Sequence, residues 1–190
     1  MKKGTDEITG IILAGGKSTR MGNDKALTLY KGEPMISYSI KLLQPFCNRI
    51  LISTTNSRHK EFGFETIEDL YPDTGPMGGL FSCMAQSRTQ ANICLPCDVP
   101  EMRPEIIERL FGVYDGTSCI IPLTPKAEPL IAIYPRETTP VMLKLIQSGK
   151  YKMTSIFENF PVTYVDMHMF NSNHKSAFAN INKPDDLLIK

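Results

Sequence analysis

No stretch of this chain approaches the ~20 consecutive apolar residues that span a bilayer. The opening Met1-Lys2-Lys3-Gly4-Thr5-Asp6-Glu7 is polar and lacks the apolar segment of a secretory signal. Charge of one sign is missing as well. The formal net charge is +1, which gives no general electrostatic case for nucleic acid or an anionic membrane as a partner. Cysteine is odd in number. The five thiols (Cys47, Cys83, Cys94, Cys97 and Cys119) lie mostly in apolar stretches and fit free buried cysteines in a reducing cytoplasm. There is no internal repeat and no low-complexity tract. What is present, 190 residues with 42% apolar and 22% charged side chains, suits one soluble globular domain.

Short apolar runs alternate with segments of helical spacing. Ile8–Leu13, Arg49–Ser53, Phe64–Ile67, Ala91–Leu95, Ser118–Leu123, Pro129–Tyr134 and Val162–Val165 read as strands. Lys31-Gly32 reads as a tight turn between two short extended segments. Helices are predicted over Met35–Phe46, from Met77 through Met84 after a Pro/Gly-rich loop at Asp69–Gly79, from Pro104 to about Val113, and over Thr138–Gln147. This alternation predicts an α/β fold with a mostly parallel sheet covered on both faces. Ligands of such sheets sit outside the carboxyl ends of the strands, so the loops after Leu13, Ser53, Ile67 and Leu95 should share one edge. The order becomes less regular after about Ser118, which marks a second functional half of the same domain.

The most informative of these loops is Leu13-Ala14-Gly15-Gly16-Lys17-Ser18-Thr19-Arg20-Met21-Gly22-Asn23-Asp24-Lys25, which is rich in glycine and cations. Glycine lets backbone N–H groups approach an anion, and Arg20 and Lys25 can neutralise it from the side-chain layer. The loop matches neither the Walker A pattern, whose first glycine is replaced by Ile11, nor Gly-x-Gly-x-x-Gly. A plain strand-to-helix turn with solvated cations therefore stays open. Asp98, at a strand's carboxyl end between Pro96 and Pro100, suits Mg2+ held together with substrate phosphates, or else caps a turn or the helix near Pro104. Cys94 and Cys97 have CxxC spacing, yet no second CxxC exists and His59, His168 and His174 offer no ligand spacing around them. Asp69 and Asp73 are candidate contacts to a base, ribose or metal, or ordinary turn aspartates. Asn182 suits an N-cap before Pro184, which leaves Asn180 for a ligand.

Taken together, Leu13-Ala14-Gly15-Gly16 with Arg20-Met21-Gly22 and Asp24-Lys25, Ile67-Glu68-Asp69, Gly75-Pro76, Pro96-Cys97-Asp98-Val99-Pro100, Glu128-Pro129-Leu130 and Asn180-Ile181-Asn182-Lys183-Pro184 resemble the molybdenum cofactor guanylyltransferases, which are glycosyltransferase-A-like nucleotidyltransferases. The resemblance runs from Ile8 to Leu187. It implies a Rossmann-like three-layer sandwich of the nucleotide-diphospho-sugar transferase type. A single domain, 1–190, would bind nucleotide with its part at about 8–115 and acceptor with its part at about 116–190. The implied reaction is Mg2+-dependent transfer of GMP from GTP to molybdenum-bearing molybdopterin, with release of pyrophosphate. Other cofactor-synthesis proteins or an acceptor molybdoenzyme would be its protein partners. Carried onto matching positions, Leu13, Ala14, Gly15, Gly16, Lys25, Asp69 and Asp98 contact the nucleotide. Arg20, Lys25 and Asp98 serve catalysis, Asp98 ligates the metal, and Asn180 and Asn182 face the pterin acceptor. Transfer of CMP to the same acceptor, or of a nucleotide to a sugar phosphate, is the near alternative; a binding module that has lost the chemistry is the distant one. Ser53 stands where some relatives place an asparagine near the nucleotide.

Overall fold

The structure, a computed structural model, describes residues 8–15, 24–171 and 177–181. The strands are β1 (Ile8–Leu13), β2 (Leu29–Tyr30), β3 (Glu33–Pro34), β4 (Arg49–Ser53), β5 (Glu65–Ile67), β6 (Ala91–Pro96), β7 (Cys119–Leu123), β8 (Ala132–Pro135) and β9 (Val162–Asp166). The α-helices are α1 (Met35–Leu43), α2 (Pro76–Gln86), α3 (Pro104–Gly112) and α4 (Thr139–Gln147). Seven strands form one sheet in the order β5-β4-β1-β6-β8-β7-β9, and β2 and β3 form a separate hairpin. The pairings of β4 with β5, β1 with β4 and β6, and β7 with β9 are parallel. Among the described strands of this sheet, β8 alone runs against its neighbours, β6 and β7. The connection from Leu123 to Ala132 contains no crossover helix, so the chain returns antiparallel.

Strand side chains alternate between the two faces, and each face has its own core. Ile12, Ile52, Ile93 and Leu95 join Ile36 and Ile40 of α1 and Ile106 and Leu110 of α3. Ile11, Leu13, Leu51 and Cys94 join Met77 and Leu80 of α2 and Met142 and Leu145 of α4. The result is a helix–sheet–helix sandwich, as the sequence predicts.

Local differences have local causes. The first predicted helix stops at Leu43 rather than Phe46, its last turn closing through Phe46 and Cys47 N–H groups onto the Leu43 carbonyl. The predicted Asp69–Gly79 loop ends early: Pro76, whose missing N–H costs nothing in a first turn, opens α2, and Gly78 and Gly79 lie inside it. Lys31 and Gly32 both have positive φ (47° and 89°), the primed turn that suits a two-residue hairpin.

Candidate functional site

The loops after β1, β4, β5 and β6 meet at one edge of the sheet, and backbone hydrogen bonds join them. Ala14 N–H donates to the Ser53 carbonyl at 3.0 Å, Thr54 N–H to that of Ile67 at 2.9 Å, and Cys97 N–H to that of Leu13 at 3.1 Å. Leu13 is thus buried at the strand end, while Ala14 and Gly15 emerge beside Ser53 with Gly15 exposed. Gly16, Arg20 and Asn182 lie outside the described residues.

Past Gly15 the described chain resumes at Asp24, whose carboxylate caps a 3-10 turn over Lys25–Leu27 by accepting the Ala26 N–H at 2.9 Å. The turn presents Lys25, and its Nζ lies 2.5 Å from Asp98 Oδ2. This ion pair is mostly dry, with the two side chains 16% and 15% exposed. Asp98 sits in the turn after β6 and does not cap α3, whose N-cap is Arg103. Its other oxygen, Oδ1, is buried and has no hydrogen-bond partner among the described residues. A dry carboxylate oxygen left unsatisfied is costly, and here it lies at the carboxyl edge of the sheet. The loop carrying Asp98 is strapped from beyond: Tyr30 O–H and Lys31 Nζ of the hairpin both donate to Glu101, the latter at 2.6 Å.

Asp69 follows β5 and accepts the Ser53 hydroxyl at 3.1 Å. Burial holds its carboxyl above the usual range, and the Ser53 hydrogen bond opposes that shift in part. Gly79 of α2 leaves room here: a Cβ at that position would overlap the Ser53 hydroxyl oxygen and lie 3.4 Å from Asp69 Oδ1. Asn180 is exposed, and the Ile181 N–H beside it donates to the Asp98 carbonyl at 2.9 Å. The structure thereby brings Lys25, Asp98 and the Asn180 segment together, and sets Asp69 with Ser53 beside Ala14 and Gly15. Glu128, in the β7–β8 connection, accepts the Thr124 hydroxyl at 3.3 Å, and its carboxyl is raised by burial.

The CxxC pair is part of the packing. Cys94 belongs to the core on one face of the sheet and Cys97 to the core on the other, so their thiols cannot share an ion. Burial pushes Cys97 up to about 12, and all five cysteines are free. No group of three or more His, Cys, Asp or Glu side chains suited to a metal occurs among the described residues. A lone carboxylate with a free buried oxygen fits Mg2+ nonetheless, because that ion commonly takes one or two carboxylates and completes its shell with phosphates and water.

Two residues at this edge escape the sequence reading. Asn56 Nδ2 donates to Asp24 Oδ2 at 2.6 Å, and His59, fully buried, places Nε2 3.2 Å from the same oxygen. The only sequence signal was their place in a polar stretch after β4, at the same edge of the sheet.

Residues 10–165 match the model of the MobA-like NTP transferase domain. The chain is 32% identical, over 94% of each chain, to a protein of Halalkalibacterium halodurans named probable molybdenum cofactor guanylyltransferase. It is 28% identical to the molybdenum cofactor guanylyltransferase of Vibrio parahaemolyticus, covering 95% of this chain and 93% of that one. Among solved structures it superposes on molybdopterin-guanine dinucleotide biosynthesis protein A of Archaeoglobus fulgidus with a TM-score of 0.78, at 25% identity and 95% coverage of both chains. The fold alone is shared with CMP:2-keto-3-deoxy-manno-octonic acid synthetase solved with CTP, at a TM-score of 0.70 and 17% identity, covering 96% of this chain and 95% of that one. This chain belongs to the MobA-like NTP transferase family and is a nucleotidyltransferase.

Proposed function

We propose that this chain transfers GMP from GTP to molybdenum-bearing molybdopterin and releases pyrophosphate. The observation that carries the proposal is the Lys25–Asp98 pair at the carboxyl edge of the sheet, with Asp98 Oδ1 buried and unpartnered. The relatives' names supply the nucleotide and the acceptor. The part at about 8–115 would bind the donor, and the part at about 116–190, with Asn180 and Asn182, the acceptor.

The reaction joins an oxygen of the acceptor phosphate to the α-phosphorus of GTP. The bond from that phosphorus to the bridging oxygen breaks, and the electron pair leaves with pyrophosphate. The acceptor phosphate is ionised near pH 7, so no protein nucleophile is needed. Charge repulsion and alignment are the barrier. Backbone at Ala14 and Gly15, with the adjoining Gly16, would let the nucleotide approach closely, and Asp69 would contact it beside Ser53. Lys25 and Arg20 would neutralise the phosphates as charge shifts toward the leaving group. Mg2+, held by Asp98, would supply Lewis-acid stabilisation of the phosphate oxygens. Lys25 and Asp98 neutralise one another before the donor arrives, so a bound triphosphate competes with Asp98 for Lys25.

The test is incubation of purified protein with molybdopterin, molybdate, Mg2+ and each nucleoside triphosphate labelled at the α-phosphate. GMP should join the pterin fastest; faster CMP transfer, or transfer only to a sugar phosphate, would replace this reading.

A further inference from the structure

Lys25 is held by a chain of contacts that begins on a different strand. Asp24 uses Oδ1 to cap the turn that presents Lys25, and turns Oδ2 toward the loop after β4. Asn56 donates to that oxygen and is itself fixed, its N–H bonded to Thr54 Oγ1 at 3.0 Å and its own oxygen accepting the Arg58 N–H at 3.0 Å. His59 closes on the same oxygen from a position with no solvent exposure. Its Nε2 lies 3.2 Å from Asp24 Oδ2, and neither ring nitrogen has a hydrogen-bond partner among the described residues. A dry imidazole without partners is a standing cost that an apolar side chain of similar size would remove. The carboxylate its Nε2 meets is the one that caps the turn presenting Lys25.

We propose that His59 is a positioning residue of this transferase, which acts with Asn56 to hold the Asp24 carboxylate and thereby directs Lys25 at the donor phosphates. The proposal rests on the functional reading above for the role of Lys25, and adds a residue to which that reading gives no part. Asp24 is the joint: its two oxygens couple the loop after β4 to the turn before β2, and through Lys25 to Asp98 after β6. Misdirection of one cation at a reacting phosphate is enough to slow transfer strongly.

The test is a double-mutant cycle on GMP transfer with His59→Leu, His59→Gln and Lys25→Met. His59→Leu should raise KM for GTP and lower kcat/KM by about tenfold or more. His59→Gln, which keeps an N–H donor at similar reach, should recover most of that loss. In the Lys25→Met background His59→Leu should add little, because the two residues act through one another. A purely structural role would lower the active fraction, reducing kcat with KM unchanged and by the same factor in both backgrounds; that result overturns the proposal. Should His59→Leu fail to fold, His59→Phe carries the same cycle, since it also fills the buried site without a polar group. If wild-type protein binds a nucleoside triphosphate but transfers no GMP, the functional reading fails by itself. The cycle is then read on the Kd of that nucleotide, where additivity of the two changes still refutes the role of His59.

Discussion

Separating the Lys25–Asp98 pair should cost stability, and removing both charges should return much of it while activity stays lost. Lys25→Met keeps the apolar stem and deletes the ammonium, which leaves Asp98 with both oxygens unpartnered at 15% side-chain exposure. Breaking a fully buried pair costs about 3–5 kcal/mol and an exposed one about 0–1 kcal/mol. At this burial about 2 kcal/mol is expected, which lowers Tm by about 4–8 °C for a chain of this length. Asp98→Asn should cost less, about 1 kcal/mol, because a lysine stem can swing its charge to water whereas a short carboxylate cannot. The double variant faces a thioether with a neutral amide, and its loss should fall short of the sum of the singles by about 1 kcal/mol or more. Thermal and urea unfolding of the four proteins, alongside GMP transfer, make the assay. Strict additivity, or a neutral Lys25→Met, would refute the view that this pair is a dry, mutually neutralising couple retained for function.

Gly79→Ala should lower affinity for GTP, because the added methyl displaces the Ser53 hydroxyl from Asp69; calorimetric titration checks this, and unchanged affinity would remove the Ser53–Asp69 contact from donor binding. All five thiols are raised by burial, so at neutral pH iodoacetamide should modify native protein far more slowly than urea-unfolded protein, as mass spectrometry would read. Asp115 accepts the Thr117 and Ser118 N–H groups at 2.8 Å each, which holds its carboxyl down at about 2. Its pKa is lower folded than unfolded, so its stabilisation is present above the unfolded value of about 3.9 and fades as pH falls toward the folded one. Wild type should therefore exceed Asp115→Ala in urea stability at pH 6, and the difference should shrink toward pH 2.

Much of the fold was legible because its central strands are buried on both faces. Ile8–Leu13, Ile50–Ile52 and Ala91–Leu95 are near-continuous apolar runs, which is how strands covered on both faces read. The reversed direction of β8 was not legible, since Ala132–Tyr134 has the same composition whichever way it pairs. Gly78 and Gly79 read as loop residues by propensity, yet they lie inside α2, where a Cβ would strike Thr74 or Ser53. In the site, Lys25 and Asp98 could be read from residue type and strand position. Their pairing across 73 residues could not, nor could the grip of Asn56 and His59 on Asp24. Such contacts depend on which strands lie side by side, and the order β4-β1-β6 settles that.

The most direct measurement is Mg2+-dependent GMP transfer to molybdopterin by wild-type protein and by Asp98→Ala, with circular dichroism on both. Wild type should transfer GMP, and the variant should keep its fold and lose turnover by about a hundredfold or more. A folded Asp98→Ala protein with undiminished turnover would contradict the placement of the reacting phosphates at Asp98.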